Sequence, residues 1–185
     1  MRKNFGSKSW FYPLPVLIIG TYDENGKADA MNAAWGGLYD ADLVELCLSA
    51  SHKTTKNILL NKAFTISFAN KENVVAADYV GMVSGNKELN KMEKAGFSTT
   101  KSDFVNAPII NELPVTIECE YVRSTKEGNI IGKILNVSAD ESVLDEEGKI
   151  SFEKFKPISY EPVHNSYLEV SGIVGHAFAD GKEKM

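Results

Sequence analysis

Residues 43–57, LVELCLSASHKTTKN, gather more groups able to do chemistry than any other stretch of the chain. An apolar run of Leu43, Val44, Leu46, Cys47 and Leu48 reads as a buried strand. It breaks into Ser49, Ala50, Ser51, His52 and Lys53, and Thr54 and Thr55 then open a helical pattern through Lys56, Asn57, Ile58, Leu59 and Leu60. Hydroxyls, a lysine and a histidine delivered to a helix N-terminus make a place to hold an anion. The first helical N–H groups have no intrahelical partner, and the helix dipole adds positive potential there. Thr54 or Thr55 is equally a natural N-cap, and capping is the plain alternative.

A second segment lies just upstream. Ala30, Met31, Asn32, Ala33, Ala34, Trp35, Gly36 and Gly37 follow an apolar strand, PVLIIG at 15–20, and a turn at 22–27. The turn's Asn25-Gly26 pair suits the positive φ of a tight hairpin. Small residues around Asn32 let a flat group approach the backbone, although an ordinary strand with a core tryptophan fits the same pattern. The chain thus runs strand, hairpin, small-residue strand, then the strand-to-helix corner.

The order PVLIIGTYDENGKADAMNAAWGG, LCLSASHKTTKN, AFTISFAN resembles the flavin reductase-like FMN-binding split-barrel family, and its flavoredoxin-type members in particular. The similarity continues through SGNKELNKMEKAGFS at 84–98, NAPIINELPVTIECEYV at 106–122 and KPISYEPVHNSYLEV at 156–170, so it spans nearly the whole chain. One departure is visible: relatives often carry Gly-Asp-His before the strand at 130–137, and this chain has Glu127-Gly128-Asn129. Any role of that histidine does not carry over.

The resemblance implies a mainly β fold with short helices, an FMN-binding split β-barrel formed by a single domain over 1–185. It further implies a homodimer with the flavin near the subunit interface. The implied function is an FMN-dependent oxidoreductase, passing hydride or electrons from reduced nicotinamide (NADH or NADPH) through FMN to a second acceptor. A flavoredoxin-type electron carrier served by a redox-protein partner, or a non-catalytic flavin-binding module, are the alternatives. Because the cofactor performs the hard chemistry, no protein residue is assigned as catalytic. Ser49, Ser51, Lys53, Thr54 and Thr55, with Ala50 in the same corner, would hold the phosphate, and His52 would touch the phosphate or ribityl chain. Met31, Asn32, Ala33, Ala34 and Trp35 would wall the ring and its pyrimidine edge. Phe68 and Asn70 resemble strand-end residues near the cofactor. The irregular stretch 83–112 reads as a lid in which Ser84 and Lys91 reach an incoming anionic donor, although a helix-surface lysine is the plainer role for Lys91. His164 and Tyr167 sit in an irregular polar piece with a weaker claim to the substrate side.

Composition agrees with one domain and a full core: 185 residues, 43% hydrophobic and 24% charged. A net charge of −5 leaves no basic stripe for nucleic acid. No apolar stretch has the length of a membrane span and no signal-peptide core follows Met1, so the expected compartment is the cytoplasm. There Cys47 and Cys119, each inside an apolar pattern, are expected as two buried free thiols. His52, His164 and His176 lack paired ligand spacing, and the acidic loop at 140–149 lacks the pattern of a calcium loop, so no metal is expected. GxGxxG, P-loop and GxSxG motifs are all missing.

Strands are expected at 15–20, 28–35, 43–49, 63–69, 115–122 and 130–137, and helices at 55–62, 72–80 and 88–95, the last stopped by Gly96. In the strand at 63–69, Phe64, Ile66 and Phe68 should share one face and Thr65 and Ser67 the other. Short strand or extended segments at 160–169 and 172–179 close the chain.

Overall fold

The computed structural model describes residues 1–185. Strands β1 (Leu14–Pro15), β2 (Leu17–Tyr22), β3 (Ala28–Ala33), β4 (Gly36–Asp40) and β5 (Leu43–Leu46) lead to helix α1 (Lys53–Asn61) and strand β6 (Ala63–Phe68). Helices α2 (Val74–Met82) and α3 (Lys91–Ala95) precede β7 (Thr99–Lys101) and β8 (Pro108–Ile110). The long pair β9 (Val115–Ser124) and β10 (Ile130–Ala139) follows, then α4 (Phe152–Phe155), β11 (Ile158–Glu161) and β12 (Ser166–Glu169). No helix is long and apolar enough to cross a membrane.

The main sheet has seven strands in the order β3-β2-β6-β9-β10-β5-β4, all neighbours antiparallel. Its two edge strands, β3 and β4, are consecutive in the chain and separated only by Ala34 and Trp35. Three Cα steps reach at most about 11 Å, whereas a flat sheet of this width would hold its edges roughly 28 Å apart. The sheet must therefore curl until its edges approach each other. They are joined through the chain and not hydrogen-bonded to one another, so the barrel is split along that line. Gly36 sits at the seam: a Cβ there would lie 2.7 Å from Cδ2 of Leu46 on β5 and 3.0 Å from Cδ1 of Leu17 on β2.

Curling gives the sheet two apolar faces. Leu17, Ile19, Phe64, Ile66, Cys119 and Ile130 fill the barrel, with Ile58 of α1 packed in from one end. Val16 and Ile18 alternate to the other face and pack with Ala30, Ala77, Val80 and Ile110 beneath α2. The expected division of β6 is found: Phe64 and Ile66 are interior with Phe68 packed beside them. On the opposite face Thr65 Oγ1 donates to the Pro108 carbonyl at 2.6 Å, and the hydroxyls of Ser67 and Thr116 lie 2.8 Å apart.

Several expectations are corrected. The strand at 28–35 ends at Ala33, and a separate strand begins at Gly36. The strand at 43–49 stops at Leu46, so Cys47 falls on the turn and is exposed; only Cys119 is a buried thiol. The stretch 83–112 carries α3 and the β7–β8 hairpin, whose Ile110 is wholly buried. Residues 172–179 form no strand.

Replacing Gly36 by alanine should cost about 1–3 kcal/mol, the range for overpacking, because Leu17 and Leu46 are anchored in opposite walls. Gly37→Ala, with nothing near its added methyl, should stay within about 0.5 kcal/mol of the parent. Urea unfolding of the two variants checks the difference.

Candidate functional site

The site grows from the end of β5. After buried Leu48 the chain turns through exposed Ser49, Ala50, Ser51 and His52 and enters α1. His52 is the N-cap, extended in backbone, and its side chain caps nothing. Thr54 and Thr55 are not caps: they lie inside the first turn and are buried. Thr55 Oγ1 donates 2.8 Å back to the Ser49 carbonyl, and the Ser49 and Ser51 hydroxyls sit 2.9 Å apart, which holds the corner in shape. The first N–H groups of α1 are thus left with no side-chain acceptor, as an anion site requires.

A cavity of about 160 Å³ opens at this helix end. Lys53 and Thr54 line it from α1, Asp29 and Met31 from β3, and Ser84, Gly85 and Lys91 from the segment after α2. The structure therefore brings together the corner, one member of the small-residue strand, and both residues singled out in the irregular stretch. The volume suits a phosphoryl group and the end of its carrier, not a whole cofactor. Lys91 is no surface lysine, since it is 3% exposed.

Two ion pairs set the electrostatics. Lys53 Nζ lies 3.1 Å from Asp23 Oδ2. Asp23 Oδ1 also accepts the backbone N–H groups of Asn25 and Lys27 at 2.9 Å each, so one carboxylate shapes the β2–β3 turn and positions Lys53. Burial pushes the Asp23 carboxyl up, but these N–H groups and Lys53 outweigh it and hold it below its ordinary value. Lys91 Nζ stands 3.9 Å from Asp29 Oδ1 with both side chains 4% exposed. Here burial wins: it pushes Asp29 up against the pull of Lys91 and Lys53, and it pushes Lys91 down. Asp29 Oδ2 is buried with no hydrogen-bond partner.

The other expected site residues lie elsewhere. Asn32 Nδ2 donates to the Ala77 carbonyl at 3.0 Å, which turns its amide onto α2, and it is 3.5 Å from the Tyr167 hydroxyl. Tyr167 in turn donates to Asp78 at 2.8 Å; burial first, then that acceptor, pushes its phenol up to about 12. Trp35 is 58% exposed and no core residue, while Ala33 and Ala34 are half-buried beside it. Phe68 packs edge-on against Phe155 at 6.4 Å, and Asn70 accepts from the backbone and side chain of Asn73, leading into α2. His164 is exposed and pairs with Glu161 at 3.0 Å. None of Phe68, Asn70 and His164 lines the cavity.

Sequence reasoning passed over Asp23 and Asp29. Asp23 hides in a hairpin turn, where an aspartate needs no further explanation. Asp29 carried a usable signal: it shares a strand face with Met31, two residues on, and an acid on an inward face needs a reason.

A curled antiparallel barrel left open along one seam is a split barrel. Within that class the chain is a member of the flavin reductase like domain family, whose model matches residues 9–160. Its structure is similar to that of flavoredoxin of Desulfovibrio vulgaris (Miyazaki F), at 32% identity over 98% of this chain and 100% of the other, with a TM-score of 0.94. Flavoredoxin from Methanosarcina acetivorans is similar at 28% identity over 100% of both chains, with a TM-score of 0.89. An FMN-binding domain of a flavin reductase-like enzyme from Shewanella baltica OS155 shares the fold, at 16% identity over 88% of each chain and a TM-score of 0.77.

Asp23→Asn keeps the one oxygen that accepts both turn N–H groups and puts an NH2 in place of the oxygen facing Lys53, so the ion pair and its hydrogen bond are lost together. At neutral pH it should lower the unfolding free energy by about 1 kcal/mol. The carboxyl is held below its unfolded value of about 3.9, so its contribution is present above that value and fades as pH falls through the lower folded one. Urea midpoints of parent and variant should draw together as pH falls below about 3.9.

Proposed function

We propose that the chain binds FMN and passes reducing equivalents between a donor and a second acceptor. The observation that carries the reading is a single compact anion cavity in which Lys53, Lys91 and the uncapped start of α1 converge. One such corner suits a monophosphate; a pyrophosphate would ask for more donors. In this reading Lys53, Thr54, Ser84 and Lys91 hold the phosphate, with Ser51 and His52 at its rim. The half-buried Met31, Ala33 and Ala34 and the exposed Trp35 offer a flat apolar wall and free strand-edge groups for the ring. FMN, when bound, supplies reversible uptake and release of electrons, so the protein's own groups have only to bind, orient and restrict access. Ser84, Gly85 and Lys91 narrow the lid reading to the start of the irregular stretch; its later half is built into the β7–β8 hairpin.

Reduced nicotinamide as the donor makes the protein an NAD(P)H-dependent oxidoreductase. The alternative is an electron carrier fed by a redox protein, favoured by the likeness to two flavoredoxins. Either role fits the cytoplasm, where free Cys47 and Cys119 stay reduced. We infer a homodimer as well. Trp35 just before edge strand β4 and Leu38 and Tyr39 on it are exposed, and Trp35 and Leu38 line a groove of about 570 Å³ with Phe11, Pro13 and Pro15. An unpaired edge with such side chains calls for a cover.

Three measurements test this. Cofactor released by heat and weighed by mass spectrometry should be FMN; FAD alone refutes the phosphate-corner argument. Lys53→Ala should weaken FMN binding to apo-protein roughly ten- to a hundredfold, the loss of one charge-assisted hydrogen bond, with turnover of NADH or NADPH against an artificial acceptor separating enzyme from carrier. Light scattering should give twice the chain mass for the parent and the single mass for Leu38→Asp; an unchanged dimer places the interface elsewhere.

A further inference from the structure

The cavity that would take the phosphate contains an acid, and this is its least expected feature. Asp29 is 3% exposed, its Oδ2 has no partner, and it lines the cavity together with the two lysines. At 3.9 Å its contact with Lys91 is longer than a hydrogen bond. Gly85 presses backbone against it: a Cβ at that residue would lie 2.5 Å from Oδ1 and 2.7 Å from Oδ2. Any side chain at position 85 would displace the carboxylate, so the loop is shaped around this acid.

We propose that Asp29 takes up one proton when a phosphate enters the cavity and then donates its hydroxyl to a phosphate oxygen, making it a specificity-determining residue for phosphorylated flavin. The proposal rests on the FMN reading above. A phosphate dianion and a carboxylate both only accept hydrogen bonds, so at close range they repel and leave each other unsatisfied. A proton drawn from solvent removes the repulsion and turns the orphan oxygen into a donor. No electron moves and no covalent bond other than the O–H is made.

The charged groups around Asp29 favour this exchange. Lys91 faces it from α3, Lys53 from α1 and Asp23 from the β2–β3 turn, with His52 at the α1 cap and uncharged Ser84 from the segment after α2. Two lysines and two aspartates balance, so an arriving dianion leaves the pocket two negative charges in excess, and neutralising one aspartate halves that excess. Asp23 is tied to two N–H groups and Lys53, whereas burial already pushes Asp29 toward its protonated form. A bound dianion raises it further, so phosphate affinity should increase as pH falls.

Calorimetric titration of flavin-stripped protein with FMN and with riboflavin, at about pH 8 in buffers of differing ionisation enthalpy, counts the protons. That pH lies well above the second phosphate pKa of about 6, so free FMN brings none. The expected result is uptake near one proton per FMN and none with riboflavin. His52→Gln should leave the uptake in place and Asp29→Asn should abolish it while riboflavin binding persists. FMN binding tighter than riboflavin with no uptake in the parent protein, a count that needs no variant, overturns the role of Asp29 and leaves the FMN reading standing. Uptake that survives Asp29→Asn or disappears with His52→Gln also overturns it. Equal affinity for the two flavins, or none for either, removes the phosphate reading itself.

Discussion

The two-residue link between β3 and β4 is the constraint on which the rest of this molecule depends. A seven-stranded sheet whose outermost strands follow one another in the chain has to curl. Curling decides what each strand buries. β2 becomes apolar on both faces, with Leu17 and Ile19 inward and Ile18 outward beside Val16, which directly precedes the strand. It also leaves the edge of β3 lying beside the N-terminal end of α1, with no strand added to it. A ring-sized ligand needs such an edge, and a fully hydrogen-bonded barrel would not provide one.

The same closure concentrates charge. Asp23 and Asp29 flank the β2–β3 turn, and each meets a lysine from another element, Lys53 from α1 and Lys91 from α3. The two pairs differ in kind. Asp23–Lys53 is short and reinforced by backbone donors, so its charges are settled and its lysine is held in place. Asp29–Lys91 is long and buried, and burial works against both charges. A buried pair at this separation is weak evidence for stability, because desolvation offsets the attraction. Its retention makes more sense at a place where a third charge arrives.

Much of the frame was legible in the sequence because it follows from local pattern. Alternation in β6, the Asn25-Gly26 turn and the strand-to-helix corner all depend on neighbours within a few residues. Of the corner, His52, Lys53 and Thr54 meet Met31, Ser84 and Lys91 at one cavity, while Ser49, Ala50, Ser51 and Thr55 stay outside its lining. What escaped depends on partners remote in the chain. The strand read at 28–35 ends at Ala33, and a separate one starts at Gly36 because β5 pairs with it. Asn32 reads as a ring contact, yet its amide is claimed by the Ala77 carbonyl on α2. Cys47 reads as core because Leu46 and Leu48 are, but the strand has ended before it. Asp29 on an inward strand face hinted at a role, but the role itself depends on Lys91, sixty-two positions away.

The two ends of the site then carry different duties. Under the proposed function, the phosphate end is where Asp29 and Lys91 are buried and Gly85 closes on them, so binding there would be selective. At the ring end, Trp35 and the β4 edge are open, and access depends on what covers them. On the same proposal, affinity would come from the enclosed end and electron exchange from the open one. The family relation accounts for the scaffold, and the choice of donor and acceptor would then fall to the exposed end, where Trp35, Leu38 and Tyr39 lie at the surface.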